Sequence, residues 1–215
     1  MKQYVLLVAL IAGPVQYSFS QGEFLQRGQS NFGAGIGFST NSEAQGWNFS
    51  AGYSYRAFLD ANVSYSKANG GKVQGAVLTP RIAYYPLKQE DAQGAPTIAL
   101  SLGYSAYTSR ETNTYYVPDS GAATYHTYTT VEDQKVNALL LNVSAQRRTG
   151  YWKVFFFQPV LGAELIMKSH GWDFTLRGGV AIGTRIVQGP ILILTPSLER
   201  RSGLTTLVFT LGAVL

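Results

Sequence analysis

The chain contains no cysteine, and that absence removes disulfide frameworks, thiolate metal sites, a cysteine nucleophile and lipid attachment through an N-terminal cysteine. Charge is scarce too: Asp, Glu, Lys and Arg make up 13% of 215 residues, about half the share usual in a soluble globular domain. A net charge of +5 comes without a basic cluster, the densest sites being the pairs Arg147-Arg148 and Arg200-Arg201, so no nucleic-acid partner is expected. Long apolar runs are missing beyond the first twenty residues, which excludes a membrane-spanning helix of roughly 20 residues. Phosphate loops, nucleophile elbows and clustered histidines are absent as well. Gly33-Ala34-Gly35 and Gly178-Gly179 sit inside alternating segments with no helix after them, so no cofactor and no metal are expected.

What is present is glycine, at 23 residues, and tyrosine, at 14. Aromatic and aliphatic content of this kind is foreign to disordered chains, so the apolar surface must be buried or placed in lipid. The first twenty residues read as an export signal. Lys2 gives a positive start, Tyr4 to Ala12 a short apolar run, and Ser18-Phe19-Ser20 a small-residue cleavage site after Ser20. Gly13-Pro14 breaks the run at about half the length of a membrane anchor.

The rest of the chain alternates with period two. Phe32, Ala34, Ile36 and Phe38 alternate with Gly33, Gly35, Gly37 and Ser39, and Leu59, Ala61, Val63 and Tyr65 with Asp60, Asn62, Ser64 and Ser66. Ten such segments can be counted, most joined by short polar or glycine-rich turns such as Asn69-Gly70-Gly71. Pro80 marks an irregular or weakly paired position in the fourth. In the sixth, Leu139-Leu140-Leu141 blurs the facing, and Leu139, Leu141 and Val143 are expected outward. A soluble sandwich alternates too, but it leaves charge on its exposed side. Here the non-apolar side is mostly Gly, Ser, Ala, Thr and Asn, which suits a narrow barrel interior.

The expected fold is all-β: a closed, antiparallel, up-and-down transmembrane barrel of about ten strands, with eight as the alternative. Residues 1–20 are assigned to the signal peptide, 21–30 to a periplasmic segment and 31–215 to the barrel. In length and pattern the stretch 31–215 resembles the small bacterial outer-membrane barrels of the OmpA and OmpX kind. That resemblance implies an outer-membrane location, membrane lipids as surroundings and the barrel-assembly machinery as a partner during biogenesis. Such proteins usually end in an aromatic residue, whereas this chain ends Phe209, Leu211, Ala213, Leu215, keeping the alternation without the aromatic.

Three groups of residues are candidates for function. Asp60, Arg81, Glu164, Asp173, Arg177, Arg185 and Glu199 fall on the inward side, where ion pairs are needed to offset burial; Asp60 with Arg81 and Glu164 with Arg177 are the expected pairs. Trp47 and Trp172 at one end, and Tyr55, Tyr84 and Trp152 at the other, are expected to form two interfacial aromatic girdles. Residues 108–133, with Tyr115, Tyr116, Tyr125, His126 and Tyr128, are expected outside the cell, either as a binding loop for a ligand or protein partner or as a polar extension of strands five and six. The expected role is structural or interactive, with a narrow pore for small solutes as the alternative. A rim enzyme, a protease or a lipid A modifying enzyme built on His126 or on His170 near Asp173, is the second alternative and is not the expected reading.

Overall fold

The computed structural model describes residues 24–42, 44–70, 73–89, 94–118, 125–149, 155–169, 171–186 and 189–215. They form ten strands: β1 (Asn31–Thr40), β2 (Ala44–Tyr55), β3 (Leu59–Gly70), β4 (Val73–Leu87), β5 (Thr97–Pro118), β6 (Tyr125–Gln146), β7 (Phe155–Lys168), β8 (Gly171–Arg185), β9 (Ile191–Arg201) and β10 (Leu204–Val214). Each pairs antiparallel with its chain neighbours, and β1 pairs with β10, so the sheet closes. The expected class, order and count of ten are all borne out.

The alternation places side chains as read. In β3 exposed and buried residues alternate without a break from Leu59 to Asn69. Leu139, Leu141 and Val143 face outward and Leu140 inward. The outer surface is a continuous apolar belt in which Phe32, Leu161 and Trp172 are 64%, 68% and 74% exposed, while Asn48, Ser54, Asp60, Ser66 and Thr79 are buried within. Soluble monomers do not carry such a belt. Closure also satisfies every edge that lipid could not solvate.

Proline leaves a visible mark. The β4–β5 ladder has partners at Leu78 and Arg81 but skips Thr79 and Pro80, and the β8–β9 ladder skips Thr195 and Pro196 between Ser197 and Leu194. Both gaps follow from the missing N–H. At the β9–β10 connection Ser202 and Gly203 both have positive φ, the two-residue geometry that matches strand twist.

The two mouths differ. The start of β1 and the end of β10 lie at one end, the terminal mouth, with the β2–β3, β4–β5, β6–β7 and β8–β9 connections; the remaining five connections lie at the far mouth.

Candidate functional site

The strands bring most of the expected charged residues into the lumen, with partners set by register. Arg81 Nη2 donates to Glu164 Oε2 at 2.6 Å, with both side chains nearly fully buried. Arg177 Nε donates to Glu199 Oε1 at 2.7 Å. These replace the pairs expected from strand adjacency. Arg177 lies directly opposite Glu199 in the β8–β9 ladder, while Glu164 faces Asn142 and Thr175. Arg81 reaches Glu164 because β5 presents Gly103 beside it, where an added Cβ would come within 3.4 Å of Arg81 Nε. Asp60 takes a hydrogen bond from the Tyr85 hydroxyl at 2.7 Å. Unpaired, these groups would carry a desolvation cost of several kcal/mol per ion.

Asp173 belongs to a second cluster at the far mouth. It accepts from Arg201 Nε at 2.6 Å and from the Ser202 hydroxyl at 2.9 Å, with Lys168 Nζ at 3.7 Å. Arg201 and Lys168 were not singled out from the sequence, although period two counted along β7 and β9 puts both inward. Arg185 does not join the lumen. It is exposed at the terminal end of β8, where the strand runs out into solvent.

The terminal mouth holds what sequence reasoning missed. The described part of the segment assigned to the periplasm, from Phe24 on, turns into the barrel, with Phe24 and Leu25 only 4% and 3% exposed. They pack with Ala57, Ala181, Ile191, Ile193 and Val214, and with the ring of Phe156. Arg148 Nη2 donates to the Phe24 carbonyl at 3.1 Å and its guanidinium lies over the Phe156 ring. Gly28 N–H donates to the Arg56 carbonyl, and Arg56 N–H to the Ser30 hydroxyl at 2.8 Å. Arg56 and Ala57 both hold positive φ, a costly conformation for residues with a Cβ, and the N-terminal segment clamps that turn. Just above, Gln158 Nε2 donates to Gln146 Oε1 at 2.6 Å.

Residues 108–118 and 125–133 belong to strands. β5 and β6 run for 22 residues each, paired from Thr97↔Gln146 to Pro118↔Tyr125. The backbone of Tyr115, Tyr116, Tyr125, His126 and Tyr128 lies in this hairpin, the strand extension that was one of the two expected forms of this stretch. Their side chains, like His170, lie outside the described part of the structure.

Two aromatic bands ring the exterior. Near the far mouth Trp47 packs against Phe49 and Tyr65, and Trp172 is exposed. Near the terminal mouth Tyr55 and Tyr84 are exposed, Phe58 meets Tyr84 edge-on at 4.8 Å, and Phe32 meets Tyr53. Trp152 lies outside the described residues.

No protein-family model matches the chain, and no curated protein matches it. Among solved structures, the translocator domain of autotransporter NalP from Neisseria meningitidis is similar over 99% of this chain and 94% of that chain, at 9% identity and a TM-score of 0.50. The beta domain of the Bordetella autotransporter Brka is similar over 86% of this chain and 98% of that one, at 11% identity and a TM-score of 0.50. The N-terminal β-barrel domain of Pseudomonas aeruginosa OprF covers 89% of this chain at 9% identity and a TM-score of 0.40, with 100% of that chain matched. The likeness is one of fold, a closed barrel of the outer-membrane type.

Proposed function

We propose that the chain is a bacterial outer-membrane barrel with a structural and interactive role, presenting the β5–β6 hairpin outside the cell. The carrying observation is the disparity in strand length. β5 and β6 have 22 residues each, while their neighbours β4 and β7 have 15 and 14. β4 pairs no further along β5 than Glu111, and β7 no further along β6 than Ala138. The hairpin beyond therefore stands clear of the wall, and its polar, tyrosine-rich sequence suits water and adaptable contacts.

The even strand count puts the start of β1 and the end of β10 at one mouth, and reading that mouth as periplasmic sets the hairpin at the cell surface. A conducting pore draws no support from the lumen, where Arg81 reaches from β4 to Glu164 on β7, Arg177 pairs with Glu199, and Phe24 and Leu25 are buried among inward residues at one end. Barrels with wide aqueous channels have roughly 16 strands.

Protease added to intact cells tests the placement. Cleavage between residues 112 and 131 is expected in the full chain and not in a chain shortened by that stretch, while cleavage only after the outer membrane is permeabilised would overturn it. The interactive role is tested by binding of such cells to glycan arrays and to immobilised extracellular proteins. Binding that falls to background in the shortened chain supports it, and equal binding by both chains refutes it.

A further inference from the structure

Arg81, Arg177 and Arg201 each donate to a carboxylate at 2.6 or 2.7 Å, but the lysine beside them does not. Lys168 ends β7 on its inward side, with Nζ 3.7 Å from Asp173 Oδ2, too far for a hydrogen bond. Asp173 is already taken. Its Oδ2 accepts from Arg201 Nε at 2.6 Å, and its Oδ1 accepts from the Ser202 hydroxyl and the Phe174 N–H, each at 2.9 Å. Two cations therefore share one carboxylate that other donors have filled. The next pair along the same strands, Arg177 with Glu199, is neutral in sum, so these five groups leave an excess of one positive charge at the far mouth.

Space lies beside the ammonium. In the ladder Lys168 stands between Ala138 on β6 and Gly171 on β8, and neither brings bulk: a Cβ built on Gly171 would meet nothing within 4 Å. The Lys168 side chain is 13% exposed, so the mouth reaches it. A second donor converges from β5. Ser105, Ala138 and Lys168 form one row across β5, β6 and β7, and Tyr107 is the next inward residue beyond Ser105 toward the far mouth. Two strand spacings and two residues of rise put the Cα atoms of Tyr107 and Lys168 roughly 12 Å apart, a gap that two long inward side chains close. Tyr107 is buried, and its hydroxyl has no hydrogen-bond partner among the described residues. Arg201 lies within electrostatic reach of both Tyr107 and Lys168. Buried hydroxyls ordinarily have a partner.

We infer that the far mouth binds an oxyanion, the phosphate, sulfate or carboxylate group of an external ligand, with Lys168 Nζ as its charged contact and the Tyr107 hydroxyl as a second donor. Such a group is negative and accepts without donating, which is what an ammonium and a hydroxyl without an acceptor require. A cation would be repelled by Lys168 and Arg201, and a neutral ligand would leave the excess charge unmet. The site names a ligand class for the interactive role proposed above and rests on the far mouth facing out of the cell.

The test titrates inorganic phosphate into the 15N-labelled mature protein in phosphatidylcholine nanodiscs at constant ionic strength, following the backbone amides of Ala138 and Gly171. Wild type is expected to give a saturable shift in the millimolar range. Lys168→Gln should weaken binding at least fivefold and Tyr107→Phe at least twofold, while Lys168→Arg, which keeps the charge, and Lys67→Gln, on the outward side of β3, should stay within twofold of wild type. Dispersion of the amide spectrum shows that each variant is still a folded barrel. A shift that does not saturate in wild type, or an affinity unchanged in Lys168→Gln or in Tyr107→Phe, overturns the inference. Glucose 6-phosphate separates the sources of the anion: tighter binding than inorganic phosphate supports a group carried on a larger ligand, and equal or weaker binding supports a free ion. The titration does not depend on sidedness. Protease cleavage of the hairpin only in permeabilised cells would sink the surface reading and leave the site standing, whereas absent saturation would sink the site and leave the surface reading standing.

Discussion

The two walls of the lumen solve the same packing problem in opposite ways. On β1, β2, β3 and β10 the inward residues are small: Gly37, Asn48, Ser50, Gly52, Ser54, Ser64, Ser66 and Thr210. On β4, β7, β8 and β9 they include Arg81, Glu164, Arg177, Glu199 and Arg201, all long charged side chains, together with Asp173. One wall supplies volume and the other yields it. A ten-stranded barrel is too wide for short side chains to meet in the middle and too narrow for long ones from every strand, so an asymmetric division fills it. The small wall is buried despite its size, with Asn48 and Ser66 at 0% exposure.

Breaking the charged wall should have the largest effect. Glu164→Leu leaves Arg81 buried without its carboxylate and should cost about 3–5 kcal/mol, while Arg81→Met with Glu164→Leu should return to within about 1 kcal/mol of the parent. Guanidinium unfolding of the lipid-reconstituted barrel, followed by tryptophan fluorescence, measures both. A single variant as stable as the parent would mean that the pair does not organise the lumen.

Bulk added to the small wall comes next. A Cβ at Gly52 would meet the Ala61 carbonyl and the Asn62 Cβ at 2.5 Å each, so Gly52→Val should cost about 1–3 kcal/mol. Gly103 has looser surroundings, with Pro80 O at 3.3 Å, so Gly103→Ala should cost less in the same assay. Equal costs at the two glycines would mean that the close contacts at Gly52 do not set the cost of added bulk.

The N-terminal segment seals both walls from the terminal side. Phe24→Ala combined with Leu25→Ala should raise the rate of tryptic cleavage at Arg27 about tenfold, equivalent to about 1.4 kcal/mol of local opening, while the barrel keeps its gel shift. An unchanged rate would show that burial of these side chains does not hold the segment. The smallest change is expected at Ser64, whose buried hydroxyl has no partner among the described residues. Ser64→Ala should shift stability by no more than about 0.5 kcal/mol, because no hydrogen bond is lost. A loss above about 1.5 kcal/mol in the unfolding assay would assign that hydroxyl a partner.

Period two made facing, class and strand count legible, because lipid outside and a small polar interior write opposite chemistry on successive residues. The same signal vanishes in residues 108–133. Above the membrane both sides of a hairpin meet water, so Thr, Ser and Tyr can stand on either side and the strand reads as a loop. Ion-pair partners were illegible for another reason: parity shows that Arg81 and Glu164 face inward, but which carboxylate a long guanidinium meets depends on closure and on a gap such as Gly103. Phe24 and Leu25 gave no sign because they fold back as a short irregular turn without alternation. Arg201 and Lys168 could have been found by extending parity to the strand ends.

The pairing of β1 with β10 fixes when this protein can take shape. Residues near the start of the barrel, such as Gly33, find their second neighbour only at Val214, on the tenth strand. Until then the growing sheet has two raw flanks that a bilayer cannot tolerate. A closed wall therefore requires β10 to have reached β1, and a chain cut short within β10 would be left without a seam.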